Sequence, residues 1–460
     1  MPLGNSAACD SQCGEQLIDY LLTVFNGRNQ QVSADTVGFI AVLSATDTVR
    51  KAGMKLVSRL PTLEELQIAA TDPEIGVPQV IRGMLEEDGF YRRLGEIFND
   101  YLLTDKYHSR NGSEKAIRLL DRNDFPQARW FDPGEELRDD NYSIDRQRTN
   151  DAIAREPLEL INYVARNDLP FTEIMTADYL LVNPYSALSF GLTELVCEDP
   201  DNPTEFKPAS IAGIPHAGIL TSPMFLNRYP TTSTNRNRGR ARVVFDIFPD
   251  TDILAIEGVR PGNAVDISTP IPTIDNPLCS KCHSVLDPVA SLFQNWDYKG
   301  RYRPARLDDG WYTDMEQRGF NVEIMPLAGN VDSSVQWLGG KIASDPKFPR
   351  AVVRVLVNGL NGKEPLAAPG EGASQEEVDA FIAERALFNE LQARFVEDNF
   401  NLKTLVLELV MSPYWRAEGL AYGADAIAHS ATSSQYLLSL EELDRKIEAQ
   451  LALPMAWQPG

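Results

Sequence analysis

The chain is 460 residues long, with a formal net charge of −23, 43% hydrophobic and 24% charged residues. That length allows two or three domains with cores of their own, in the compositional range of soluble globular proteins. The acidic excess argues against a nucleic-acid partner, whose phosphates need a basic face; it suits solubility first, and steering towards a basic redox partner second.

Taken in order, the first third reads as helices. Leu17, Ile18, Leu21, Leu22 and Phe25 share one face. Thr62-Leu63-Glu64-Glu65 is a capping box that opens a helix after Pro61. Val80, Ile81 and Met84, then Phe90, Leu94, Ile97, Phe98 and Leu102, keep the 3.6-residue period. Residues 104–150 are polar and poorly periodic, which predicts a boundary or a long surface connection. An amphipathic helix is expected over Glu156–Asn167, with Leu158, Ile161 and Val164 inward. Glu198–Pro203 is an acidic loop without full EF-hand spacing, so a solvated turn is the reading rather than a calcium site. Ala241–Ile247 fits one strand or a buried helix, and Pro- and Gly-rich punctuation from Pro261 to Pro277 follows. Helices are predicted from Pro349 to Leu360, from Ser374 to Asp398 with a second capping box at Ser374…Glu377, and from Leu402 to Met411. No apolar run reaches the roughly 18 residues of a membrane span, because Asp19, Lys403 and Glu408 interrupt the best candidates.

The chemistry concentrates at Cys279-Ser280-Lys281-Cys282-His283, the Cys-x-x-Cys-His attachment pattern of a c-type haem. Two thiols one helical turn apart can form thioethers to the haem vinyl groups, and the adjoining imidazole can ligate the iron. This composition would yield the pattern by chance about 0.0005 times, so chance does not explain it. The competing reading is structural zinc, with Cys9 and Cys13 completing a set of four thiolates. Cys9 and Cys13 could also pair with each other, and Cys197 is left over as a buried free thiol.

The residues that follow, His283-Ser284-Val285-Leu286-Asp287-Pro288 and then Phe293-Gln294-Asn295-Trp296-Asp297-Tyr298-Lys299-Gly300-Arg301-Tyr302-Arg303, resemble planctomycete-type cytochrome c, a group of c-type cytochrome families of unassigned function. Similar segments occur at Arg59–Leu66, Gly89–Leu94, Leu169–Asn183, Pro215–Thr221, Asn237–Arg240, Leu402–Arg416 and Leu437–Ile447. The resemblance implies one covalent haem c and an exported, periplasmic location; it supplies no reaction. The first residues show no basic then apolar leader, so a haem-bearing chain of this sequence would be a processed or incomplete one.

Met325, followed by Pro326, is the expected sixth iron ligand, with His216 as the alternative. Arg301 and Arg303 are candidates for pairing haem propionates, and Asp287, Asn295, Trp296 and Asp297 are placed to support the site. With neither Met325 nor His216 on the iron, His216 and Arg238 or Arg240 could act as a distal base and cation. The expected architecture is mainly α. It comprises a helical N-terminal region (1–140), a helical middle (141–270), a cytochrome-c-like haem domain (271–420) and a C-terminal tail with one helix (421–460). The expected role is electron transfer as a subunit or partner of a larger redox complex, the partner being a redox protein or a membrane-associated complex, without a transmembrane segment of its own. A haem enzyme (peroxidase or small-molecule oxidase) and a zinc protein are the alternatives.

Overall fold

The computed structural model describes residues 40–109, 113–249, 251, 253, 270–304, 315, 317–326, 331–362, 364–370, 372–420 and 440–451. The helix expected at Leu17–Phe25, the Cys9 and Cys13 pair and part of the Pro261–Pro277 punctuation lie outside them. Among the described residues the fold is mainly helical, with three two-stranded antiparallel sheets of very short strands. No described helix is long and apolar enough to cross a membrane. The described residues divide into two compact units: one holds those up to Leu85 with 356–394 and those from Thr404, the other Glu86–Val355 with Phe395–Lys403.

In the first unit, Ile40–Val42 pairs with Ala417–Leu420, joining distant parts of the chain in one ladder. The capping box at Thr62 forms as its spacing demands. Thr62 Oγ1 accepts from the Glu65 amide at 3.2 Å, and Glu65 Oε2 accepts from the Thr62 amide at 2.6 Å, opening the helix Leu63–Thr71. The next helix, Pro73–Met84, crosses it at Gly76, where a Cβ would lie 2.2 Å from the Ile68 carbonyl oxygen. The capping box at Ser374 forms too, at the head of the helix Gln375–Glu397.

The second unit holds the helices Asp88–Leu102 and Tyr142–Arg166 packed together. Phe90, Leu94, Ile97, Phe98 and Leu102 are all buried, as their period requires. Two expectations need correction. The amphipathic helix begins at Tyr142 rather than Glu156 and passes through Pro157, and Leu158 is half-buried while Leu160 takes the inward position. Residues 104–150 are not a surface connection: Tyr107, Ile117, Leu119, Leu120, Phe125 and Phe131 form a buried cluster with Ile153 and Met224. Short 3₁₀ turns at Thr104–Tyr107 and Ile117–Leu119 carry Tyr107, Ile117 and Leu119 inward, and Leu120, Phe125 and Phe131 sit in irregular turns and bends, so no helical or strand period runs through them.

Ala241–Ile247 lies in a helix, Arg238–Ile247, packed against the helix Pro277–Leu292 that bears the Cys-x-x-Cys-His motif. Arg240 is fully buried. Its guanidinium donates to the carbonyls of Leu226 (3.0 Å), Tyr229 (3.0 Å), Trp296 (2.8 Å) and Asp297 (2.5 Å), and to Asn237 Oδ1 (3.0 Å). It thereby ties the helix Pro223–Arg228 to the segment that follows the motif helix. Replacing it with Met removes the donors and strands those carbonyls in a dry interior. Arg240→Met is expected to lower unfolding free energy by about 3–5 kcal/mol in urea denaturation. Arg240→Lys should recover only part of that loss, because one ammonium cannot span the fork.

Candidate functional site

Asn276 caps the motif helix by accepting from the Leu278 amide at 2.9 Å, and Pro277 supplies its first residue. Within that helix Cys279, Cys282 and His283 stand at i, i+3 and i+4, so all three occupy one side of two successive turns. Both thiols are free and half-buried; Cys282 Sγ lies 3.8 Å from the Ile253 carbonyl oxygen.

One turn further along, Asp287 is completely buried and holds His283: Nδ1 and Oδ1 are 2.9 Å apart. The same carboxylate receives both arms of Arg238, Nε to Oδ1 at 2.7 Å and Nη2 to Oδ2 at 2.8 Å. Burial would raise the Asp287 pKa, but the hydrogen bonds from Arg238 and His283 outweigh it and hold the carboxyl below its ordinary value. Asp287 is therefore an acceptor only, so the proton it faces belongs to His283 Nδ1. That fixes the tautomer and leaves Nε2 as a lone-pair donor, the arrangement in which a metal-ligating imidazole is oriented by a carboxylate behind it. Two free thiols and an oriented imidazole on one helix face match the donor set a covalent haem requires.

Met325 is buried, just past the hairpin Gly319–Phe320/Glu323–Ile324, with its amide donating to the Arg318 carbonyl at 2.8 Å. The hairpin's first strand packs against the motif helix. Arg301 and Arg303 are committed elsewhere. Arg301 pairs with Asp121 (2.8 Å) and Asp297 (3.2 Å), and Arg303 with Asp121 (2.8 Å) and Asp124 (2.7 Å). Trp296 and Asn295 are buried, and Asn295 Nδ2 donates to the Val331 carbonyl at 3.1 Å. Arg238 and Arg240 are not distal cations, since one grips Asp287 and the other the backbone. Cys197 is half-buried apart from these groups, its thiol pKa raised by burial.

Among the described residues no three His, Cys, Asp or Glu side chains converge to hold a bare metal ion, and a four-thiolate site would need Cys9 and Cys13, outside those residues.

A cavity of about 620 Å³ lies in the same unit, lined by residues from 119 to 304, none from the motif helix. His216 forms part of its wall. Its Nε2 accepts from the Ile211 amide at 3.3 Å, and burial drives its pKa down to about 4, so the ring is neutral. Glu156, fully buried in mid-helix, also faces this cavity; burial pushes its carboxyl up to about 7. The sequence offers no signal for Glu156 beyond a carboxylate flanked by Ala and Pro. The His283–Asp287 pair, by contrast, has the i,i+4 spacing that could have revealed it.

The chain matches no protein-family model, and no curated protein or solved structure is significantly similar to it.

Because Asp287 is buried between two donors, Asp287→Ala leaves Arg238 without its counterion. This should cost about 3–5 kcal/mol of stability in the haem-free protein, measured by urea denaturation. His283→Ala, whose ring is a quarter exposed, should cost only about 1 kcal/mol.

Proposed function

We propose that the chain is an exported c-type cytochrome that carries one covalent haem and transfers electrons within, or to, a larger redox complex. The observation that supports this most directly is the Arg238–Asp287–His283 relay, set one turn behind two free thiols at the Cys-x-x-Cys-His spacing. Cys279 and Cys282 would tether the group, and His283 Nε2 would ligate it from the proximal side. A haem supplies a one-electron couple when bound. The chain's own part is to hold the His283 ring in one tautomer and to place a buried negative charge behind it. Asp287 would make the imidazole a stronger donor, which would favour the ferric state and a lower potential of a bound haem. Met325 is the residue we assign to the sixth position, on its burial beside the hairpin that packs on the motif helix. The acidic surface fits a basic redox partner.

The same His–carboxylate pair favours a second reading, a haem enzyme with an open distal site, because a strongly donating proximal imidazole also suits catalysis at the iron. Oxidised and dithionite-reduced visible spectra of protein matured with haem separate the readings. Electron transfer predicts a sharp reduced α-band and a weak ferric Met–iron band that Met325→Ala abolishes. A high-spin ferric spectrum shifted by cyanide would favour the enzyme, and a colourless zinc-containing protein would sink both. On either haem reading, Asp287→Asn should raise the reduction potential by about 60 mV, one-electron equivalent of about 1.4 kcal/mol. Spectroelectrochemical titration reads that shift, and no shift would remove Asp287 from the role.

A further inference from the structure

The cavity of about 620 Å³ is of a size to enclose a drug-sized ligand, and its walls are mostly apolar. Leu119, Leu120, Phe125, Leu180, Phe190 and Trp296 form much of them. Polar groups converge in two places. At the mouth, Asp121, Asp124, Arg301 and Arg303 are already paired with one another, so they offer little net field to a charged ligand. In the wall, Glu156 and Ser222 are 4% and 3% exposed and face each other, and Ser222 and the Leu181 backbone offset part of the burial effect on the Glu156 carboxyl; Glu156 Oε2 and Ser222 Oγ nonetheless form no well-aligned hydrogen bond. The other hydroxyl beside them, Thr221, is satisfied by the Ala217 amide and the Gly218 carbonyl.

Two buried oxygens that meet without a well-formed hydrogen bond are a cost of folding that a ligand group bridging them could offset. We propose that this cavity is a binding site for an uncharged aromatic alcohol, its hydroxyl seated between Glu156 and Ser222 and its rings against Phe125, Phe190 and Trp296. A hydroxyl both donates and accepts, so it satisfies the pair whichever of the two oxygens carries the proton. A carboxylate ligand would meet Glu156 with like charge. An ammonium carries donors only and would present no acceptor to the Ser222 hydroxyl. Phe125, Phe190, Trp296 and Tyr302 offer aromatic contacts that favour rings over a flexible chain. No motif residue lines the site, so this proposal does not depend on the haem reading.

Isothermal titration calorimetry of the full-length protein with 2-naphthol tests it, with 2-methoxynaphthalene, 2-naphthoate and 2-naphthylmethylamine as comparators. The expected result is saturable one-to-one binding of 2-naphthol, at least tenfold tighter than each comparator. Glu156→Leu and Ser222→Ala should each weaken 2-naphthol at least fivefold, and Glu156→Leu should erase the preference over the methyl ether. Ile214→Trp, which fills the cavity from its rim, should abolish binding while circular dichroism stays unchanged; this variant serves if Glu156→Leu fails to fold. No saturable 2-naphthol binding, equal binding of the methyl ether, or tighter binding of the amine would each overturn the proposal.

Discussion

The buried Asp287 carboxylate is the constraint around which the motif region is built. A carboxylate taken out of water is tolerated only where enough donors replace its hydration. Here the two arms of Arg238 and the imidazole N–H of His283 do so, and their geometry then dictates neighbouring positions. His283 must sit one turn before Asp287 on the same helix. Arg238 must come from the start of a helix packed alongside. The imidazole nitrogen that faces away from the carboxylate is left as the free donor. An electrostatic requirement of folding therefore orients the group that would serve as ligand, and site geometry and core stability become one problem.

Two arginines in one turn divide that work. Arg238 and Arg240 are two residues apart on a helix and so point to different sides. Arg238 reaches the carboxylate behind the motif, while Arg240 fastens the backbone on which Trp296 and Asp297 follow the motif helix. Asp297 in turn receives Arg301, which also reaches Asp121. The segment after the motif is thus held at both ends by guanidinium groups. Its resemblance to a signature rich in Asp and Arg has a structural counterpart in these pairs, without any of them touching the thiols.

Local rules carried the sequence reading a long way. Both capping boxes, the faces of Asp88–Leu102 and of Leu402–Met411, and the prevalence of helix follow from spacing alone, because cap and face are set within four residues. From 104 to 141 the buried side chains sit on 3₁₀ turns and irregular turns, where no period exists to detect. The site was legible in the same local sense. Cys279, Cys282, His283 and Asp287 lie within nine residues of sequence. Arg238, Glu156 and Ser222 owe their roles to partners brought in from elsewhere in the chain, and no spacing in a single sequence encodes that. Arg301 and Arg303 suit haem propionates by their charge; the structure pairs them with Asp121, Asp124 and Asp297, carboxylates that charge alone does not single out.

The distribution of charge links these observations. The chain has 43 Lys and Arg against 66 Asp and Glu, and several of its arginines are spent internally on Asp287, on backbone carbonyls and on the aspartates at the cavity mouth. A guanidinium paired with a carboxylate cancels one charge of each sign, so these internal pairs leave the chain's acidic excess to the surface. That surface would draw a basic partner over distances of about a Debye length, 8–10 Å at physiological ionic strength, and its influence on association would fade with added salt. An uncharged ligand would feel none of that field, which is consistent with a cavity whose mouth charges cancel in pairs and whose recognition rests on two buried oxygens.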